Sequence, residues 1–166
     1  MPAEISVTRP SDVTLRLVEQ SEVLARMPEF RALTQKFANG PSDMNSILNI
    51  LPTTRPFIVA AVERDGCLIG WATCYRGFFR WSVKYMLDVF VDPGNRRQGI
   101  GRQVVEAALS ENESQNGDAP EVVVEPAMES FWAAFEGRFV RYRKPSPAFR
   151  AQIRKQIRSW GLAPGE

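Results

Sequence analysis

The sequence predicts a single α/β domain, and three observations carry that prediction. An apolar segment, Tyr85 to Val91, runs into a turn, a glycine loop and a stretch with helical spacing. Upstream, two apolar runs flank Arg64-Asp65-Gly66 and read as a β-hairpin. Around these units helical and strand-like periodicities alternate, and no repeat, low-complexity tract or long linker divides the 166 residues.

The elements follow in order. Asp12 to Val18 alternates apolar and polar residues and predicts a first strand. Ser21 is placed to cap a helix from Glu22 toward Phe37, which Pro28 either splits or restarts. Asn39-Gly40-Pro41 is a break, and Ser42-Asp43 opens a second helix through Ile50, ended by Leu51-Pro52. Phe57 to Glu63 is a buried strand that the hairpin turn joins to Cys67 through Tyr75. Phe78-Phe79-Arg80-Trp81 leads round to the strand ending at Val91. Asp92-Pro93-Gly94-Asn95 is a turn, and Arg102 to Leu109 is helical until the polar stretch from Glu111 to Gly117. Glu121 to Val124 is the next strand, Ala127 to Glu136 a short helix stopped by Gly137, and Phe139 to Tyr142 a last strand. Ser146-Pro147 then starts a terminal helix that Gly161 ends. Phe149, Ile153, Ile157 and Trp160 form its apolar stripe, with Arg150, Arg154, Lys155 and Arg158 off it. The domain therefore reads as a core of about 12–145 with an extra basic amphipathic helix over about 146–161.

Composition excludes several function classes. With 44% hydrophobic and 24% charged residues the chain is ordinary for a globular protein, and no run of about eighteen apolar residues offers a membrane span. The N-terminus carries no basic-then-apolar signal pattern, and the two cysteines make no disulfide framework, so a reducing cytoplasm is expected. There is no histidine, so Ser-His-Asp and Cys-His catalysis are out, and no common zinc site or other metal is expected. A general base must be Asp, Glu, Lys, Tyr, water or a chain terminus. Net charge is +2, but Arg138 to Trp160 holds eight Lys or Arg and no Asp or Glu. That run is either a solvated face balancing an acidic remainder or a docking surface for an acidic protein or nucleic acid.

Arg96-Arg97-Gln98-Gly99-Ile100-Gly101 stands between the strand and the helix. A strand, turn, glycine loop and helix aim unpaired backbone N–H groups and the positive end of a helix dipole at one point, which is an anion site. The P-loop is excluded because no Gly-Lys-Ser/Thr follows. A Rossmann loop is excluded because Val104 stands where a third Gly or Ala is needed.

This chain order, with Gln/Arg-x-x-Gly-x-Gly/Ala after the fourth strand, resembles the GNAT family of N-acetyltransferases. Arg96 to Gly101 fills that motif, and Val89-Phe90-Val91-Asp92-Pro93 looks like its lead-in. The resemblance covers about Asp12 to Tyr142. It implies a mixed, largely antiparallel central sheet flanked by helices, and acetyl-CoA as acyl donor. Backbone amides of Arg97, Gln98, Gly99, Ile100, Gly101 and Arg102 would hold the pyrophosphate, with Arg96, Arg97 and Arg102 adding positive charge. A Cβ at Gly99 or Gly101 would stand between amide and phosphate. Val89, Phe90 and Val91 would pair with the pantetheine arm, and splay from the strand at Val122 to Val124 would open a slot for thioester and amine.

The second half departs from the family pattern. Asn-x-x-Ala-x-x-Phe-Tyr is usual there; the matching residues are Glu125, Met128, Phe131 and Trp132. Trp132 thus replaces the Tyr that protonates the leaving thiolate, and Tyr85 or Tyr142 are the substitutes. The general-base candidates are Glu121 and Asp88, each of which also reads as a solvated or ion-paired carboxylate. Cys74 reads as a small core residue. The expected function is transfer of an acetyl group to a primary amine on a protein lysine, a protein N-terminus or a small metabolite, and the basic C-terminal helix tilts the expectation toward a macromolecular acceptor. The alternative is a weak or inactive binding protein on the same scaffold that uses its basic end to dock a protein or nucleic acid.

Overall fold

The computed structural model describes residues 13–36, 58–79, 82–115, 117–143, 146–159 and 161. Six strands form one sheet in sequence order: β1 (Val13–Leu17), β2 (Ile58–Arg64), β3 (Cys67–Phe79), β4 (Ser82–Val91), β5 (Glu121–Val122) and β6 (Val140–Arg141). The first four are antiparallel neighbours, whereas β5 runs parallel to β4 and β6 parallel to β5. The helices are α1 (Gln20–Ala25), α2 (Met27–Gln35), α3 (Ile100–Ser114), α4 (Glu129–Ala133) and α5 (Pro147–Ser159). The mixed, largely antiparallel sheet flanked by helices is the architecture that the family resemblance implies.

Two apolar layers hold the sheet, one on each face. On one, Val104, Val105, Ala108 and Leu109 of α3 and Trp132 near the C-terminal end pack on Ile58, Ala60, Val62, Ala72 and Leu87. On the other, Val23 of α1 and Phe30 and Leu33 of α2 pack on Val59, Ala61, Trp71, Tyr75, Met86 and Phe90. The alternation of β-strand side chains assigns each residue of β2, β3 and β4 to one layer or the other. Trp71 lies between Phe30 (ring centroids 5.1 Å, edge-on) and Phe90 (5.0 Å). Such pairs add to the area they bury.

Several boundaries move. Pro28 both splits the first helix and stands in the opening turn of α2. The cap is Glu19 rather than Ser21, which lies inside α1. The β2–β3 turn has Asp65 and Gly66 at φ +53° and +76°, the mirror-image turn that matches strand twist. β3 runs on to Phe79, with Phe79 opposite Ser82, so the expected excursion there is a long hairpin. β5 stops at Val122, and Val123 is exposed. The helix read over Ala127 to Glu136 is a 3₁₀ turn, Pro126–Met128, followed by α4, and Gly137 at φ +84° ends this region as expected. Ser146 Oγ accepts the Phe149 N–H at 3.1 Å, the predicted cap of α5, and Gly161 at φ +73° ends it. Phe37, the helix from Ser42 to Ile50, Phe57, Arg80, Trp81, Lys144 and Trp160 lie outside the described residues.

A five-residue ionic network ties α1 and α2 to the sheet edge. Arg16 of β1 donates to Glu22 at 2.7 Å and to Glu63 at 3.3 Å. Arg26, between the helices, donates to Glu63, to Glu29 at 2.9 Å and to Glu22 at 3.2 Å. Glu29 also accepts the Leu68 N–H at 2.9 Å.

Candidate acetyl-CoA and acceptor site

The glycine loop is built from conformations that most residues avoid. Asp92 Oδ1 accepts the Gly94 N–H (3.0 Å) and Lys36 Nζ bonds Asp92 Oδ2 (2.7 Å), which fixes the turn before it. Arg96 is extended, Arg97 is left-handed at φ +64°, and Gly99, the N-cap of α3, is left-handed at φ +76°. A non-glycine residue at positive φ is uncommon, and such strain concentrates at functional sites. The first-turn N–H groups of α3 have no acceptor within the helix, and Gly99 offers no side chain to cap them. Arg96, Arg97, Gln98, Gly99 and Arg102 are exposed, while Ile100 is buried.

The two glycines serve different needs. A Cβ on Gly99 meets nothing within 4 Å, so its requirement is the positive φ, and its outer side is open to a ligand. A Cβ on Gly101 would lie 3.3 Å from Phe131 Cε2 and 3.4 Å from Val91 Cγ2. Gly101 thus sits in tight packing against α4 and β4, where a Cβ would have to push the Phe131 ring aside, a reason the sequence does not display.

Two further features seat the loop. A bulge at Val62/Glu63 puts both Ile69 and Gly70 of β3 on the α3 side. Ile69 O then accepts the Asp92 N–H (2.8 Å), and Gly70, lacking a Cβ, leaves room for Ile100.

That same bond sets the direction of the β4 backbone. Because Asp92 bonds across to Ile69, alternation along the antiparallel ladder turns the N–H and C=O of Phe90 toward β3 and those of Val89 and Val91 toward β5. Yet β4 and β5 share only the Met86–Glu121 pair, and β5 ends one residue later. From Leu87 onward, then, no strand among the described residues lies along that side of β4. Phe90 contributes a buried ring instead, packed on Trp71.

Both carboxylate candidates point to the α1/α2 face. Tyr75, Met86 and Glu121 form one row across β3, β4 and β5, and Asp88 lies two residues along β4 on the same side. Tyr75 donates its hydroxyl to Asp88 Oδ2 at 2.8 Å. Burial pushes the Asp88 carboxyl above the usual aspartate range, and the Tyr75 hydrogen bond opposes that rise. Glu121 is half-buried, at the start of β5. Nearby on this face the buried Trp71 Nε1 has no hydrogen-bond partner among the described residues.

The remaining candidates have structural tasks. Trp132 is buried in an aromatic cluster with Phe131 (5.0 Å, edge-on), Phe135 (6.0 Å) and Phe139 (5.4 Å). Tyr85 donates to Asn112 Oδ1 at 2.6 Å, near the far end of α3 from the glycine loop. Cys74 is buried, and burial raises its thiol to about 12, so it is an inert core residue. Of the basic run, Arg138 is bonded to Glu106 and Glu113 of α3, and Arg141 to Glu129 and Glu136. For these two residues the contacts are the solvated, charge-balanced arrangement, whereas Arg154, Lys155 and Arg158 of α5 are exposed. Among the described residues no cluster of His, Cys, Asp or Glu could hold a metal ion, and no helix is long and apolar enough to cross a membrane.

A glycine loop at a helix N-terminus, beside parallel strands β4 and β5 that share a single pair, is the arrangement found in acyl-CoA-dependent transferase scaffolds. The chain belongs to the acetyltransferase (GNAT) family, whose model matches residues 25–140. Its fold is similar to the aminoglycoside N-acetyltransferase AAC(6')-Iy in complex with CoA, at 16% identity and TM-score 0.56, over 84% of this chain and 95% of that one. It is also similar to an aminoglycoside acetyltransferase, meta-AAC0020, from an uncultured soil metagenomic sample, solved with trehalose (15% identity, TM-score 0.54, 82% and 93% covered). A third is the ribosomal-protein-alanine N-acetyltransferase of Brucella melitensis biovar Abortus 2308 (18%, TM-score 0.51, 81% and 96%). No curated protein sequence matches the chain.

Proposed function

We propose that this acetyltransferase moves the acetyl group of acetyl-CoA to a primary amine, with a small-molecule amine as the first acceptor class to test. The observation that carries the reading is a coincidence of two vacancies in the hydrogen-bonding pattern. Among the described residues, the left-handed loop leaves the first N–H groups of α3 open at one end, and no strand covers the side of β4 that carries Val89 and Val91 beside them. A pyrophosphate fits the first, on amides from Arg97 to Arg102, with Arg96, Arg97 and Arg102 supplying charge. An extended amide-bearing chain such as pantetheine fits the second as an added strand.

The residues then divide the work. The thioester carbon is attacked by a neutral amine, the C–S bond breaks and CoA leaves as thiolate. Holding the reactants in place accounts for most of the acceleration. Asp88, raised by burial, accepts the amine's proton through water, with Glu121 as the second candidate. Tyr142 is the remaining tyrosine for returning a proton to the thiolate. The small-molecule preference rests on Arg138 and Arg141, whose charges are already spent inside the domain. A protein lysine or N-terminus is the second acceptor class, and docking of an acidic protein or nucleic acid by the basic end the third reading.

Release of free CoA thiol from acetyl-CoA, measured against a panel of polyamines, amino sugars and peptides, tests the reading. Turnover with an amino sugar or polyamine is expected. Absence of acetyl-CoA binding would overturn it, and binding without turnover on any acceptor would favour the docking alternative.

A further inference from the structure

Arg64 ends β2 opposite Cys67, closing the hairpin turn. Strand alternation turns its side chain to the α3 face, where the glycine loop lies. Its guanidinium donates from Nη1 to Asn95 Oδ1 at 2.7 Å and from Nη2 to Gln98 Oε1 at 3.0 Å. Asn95 and Gln98 bracket Arg96 and Arg97, so a single planar fork grips both ends of the segment that contains the left-handed Arg97.

That placement answers an energetic need. A left-handed L-residue costs about 1–2 kcal/mol, and the exposed Arg97 has little burial to offset it. The fork spans the strained residue from a neighbouring element that is itself fixed by a two-residue turn. Both acceptors are neutral amide oxygens, so the guanidinium charge is not cancelled beside an anion site.

We propose that Arg64 is a positioning residue that holds the glycine loop in its anion-binding form before any ligand arrives. The inference deepens the acetyl-CoA reading above and rests on it for its functional consequence. Arg64 acts on the loop through Asn95 and Gln98, and the loop acts on the pyrophosphate. Losing two loop hydrogen bonds of ordinary strength should weaken CoA binding about tenfold. The chemical step should be spared.

The test compares wild type, Arg64→Ala, Arg64→Lys, Asn95→Ala and the Arg64→Ala/Asn95→Ala double variant. CoA affinity is measured by calorimetry, and loop amide hydrogen exchange without ligand at Asn95 and Gln103, whose N–H groups bond Asp92 O (2.8 Å) and Gly99 O (3.1 Å) at the two ends of the loop. Expected are a CoA Kd about tenfold higher for Arg64→Ala, kcat at saturating acetyl-CoA within about twofold, and faster exchange in the loop. Arg64→Lys should recover part of the affinity, and the double variant should bind no more weakly than Arg64→Ala alone. Unchanged loop exchange in Arg64→Ala overturns the proposal, as do fully additive losses, which would mean that Arg64 touches the ligand directly. If wild type binds no CoA, the functional reading falls while the exchange comparison still decides whether Arg64 holds the loop. Should Arg64→Ala fail to fold, Asn95→Ala removes the same contact from the loop side.

Discussion

The Tyr75 hydroxyl donates to Asp88 Oδ2 at 2.8 Å, a diagonal contact between β3 and β4, since Tyr75 itself stands opposite Met86. Burial drives Asp88 up and Tyr75 draws it back, so this one bond tunes the carboxyl proposed above as the base. Tyr75→Phe removes the lowering influence. The acidic limb of the kcat/KM pH profile should move to higher pH, with the alkaline plateau retained. Asp88→Asn should lower kcat by about 10²-fold or more. A Tyr75→Phe limb that does not move would transfer the base role to Glu121.

The same carboxyl makes an opposite prediction for stability. Its folded pKa is raised, so the folded chain binds that proton more tightly than the unfolded chain. Stability is then full below the unfolded aspartate value, about 4, and is lost as pH rises toward the folded one. Asp88→Asn keeps an oxygen for Tyr75 and removes the buried charge. Thermal melts should show a higher Tm than wild type at pH 7, with the gain vanishing near pH 4. Equal Tm values at pH 7 would mean the carboxylate is well solvated.

Gly99 and Gly101 separate two causes that the motif merges. Gly99→Ala meets open space but forces a Cβ at φ +76°, costing about 1 kcal/mol and pulling the loop from its shape. Gly101→Ala keeps its backbone and pushes on the Phe131 ring. CoA titrations should find both weakened, with only the Gly101→Ala defect relieved when Phe131→Leu is added. Relief of Gly99→Ala by the same change would contradict the conformational explanation.

The strand–loop–helix unit was legible because local chemistry writes it: a β-branched run, a Pro-Gly turn, glycines at fixed spacing, then helix formers. What stayed hidden depends on neighbours distant in sequence. Nothing around Gly70 announces that Ile100 packs on it, and nothing near Arg64 announces Asn95 and Gln98. Glu121 to Val124 reads as a full strand from its valines, yet β5 stops at Val122, one residue past its single pairing with β4 at Met86, a property of the sheet rather than of those residues. The Ser21 cap failed for a similar reason: the chain leaves β1 at Leu17 and Glu19 is already in position to begin α1. Asp88 was visible as a carboxylate in an apolar strand. Which face it takes, and that Tyr75 meets it, followed only from register.

The network of Arg16, Glu22, Arg26, Glu29 and Glu63 predicts how the domain responds to acid. Hydrogen bonds from Arg16 above all, and from Arg26, hold Glu22 at about 2 in place of an ordinary 4.5, and Arg26 lowers Glu29 as well. Depressed carboxylates contribute stability that is present above the unfolded value and lost as pH falls through the folded one. The window is pH 4.5 down to 2. Their side chains are about a third exposed, so the contribution is modest and screened by salt. Chemical denaturation of Arg26→Met should show a shallower stability loss across that window than wild type, with the difference shrinking in 0.5 M salt. Parallel wild-type and variant curves would show that the network adds geometry without stability.

Gly70 joins the fold to the site most directly, because the residue it admits, Ile100, is the first of α3. An added Cβ would lie 2.7 Å from Ile100 Cγ2 and 3.3 Å from the Phe90 carbonyl oxygen. Real Cβ atoms do not approach so closely, so Gly70→Ala must displace the start of α3, at a cost of about 1–3 kcal/mol for overpacking a closed core. The displaced N–H groups are those of the proposed anion cradle, so Tm and CoA affinity should fall together. Ile100→Leu moves the branch from Cβ to Cγ and removes the clashing methyl at nearly constant volume. Added to Gly70→Ala, it should recover most of both losses. A double variant no more stable than Gly70→Ala alone would put the conflict on the Phe90 carbonyl, which no side-chain change can relieve.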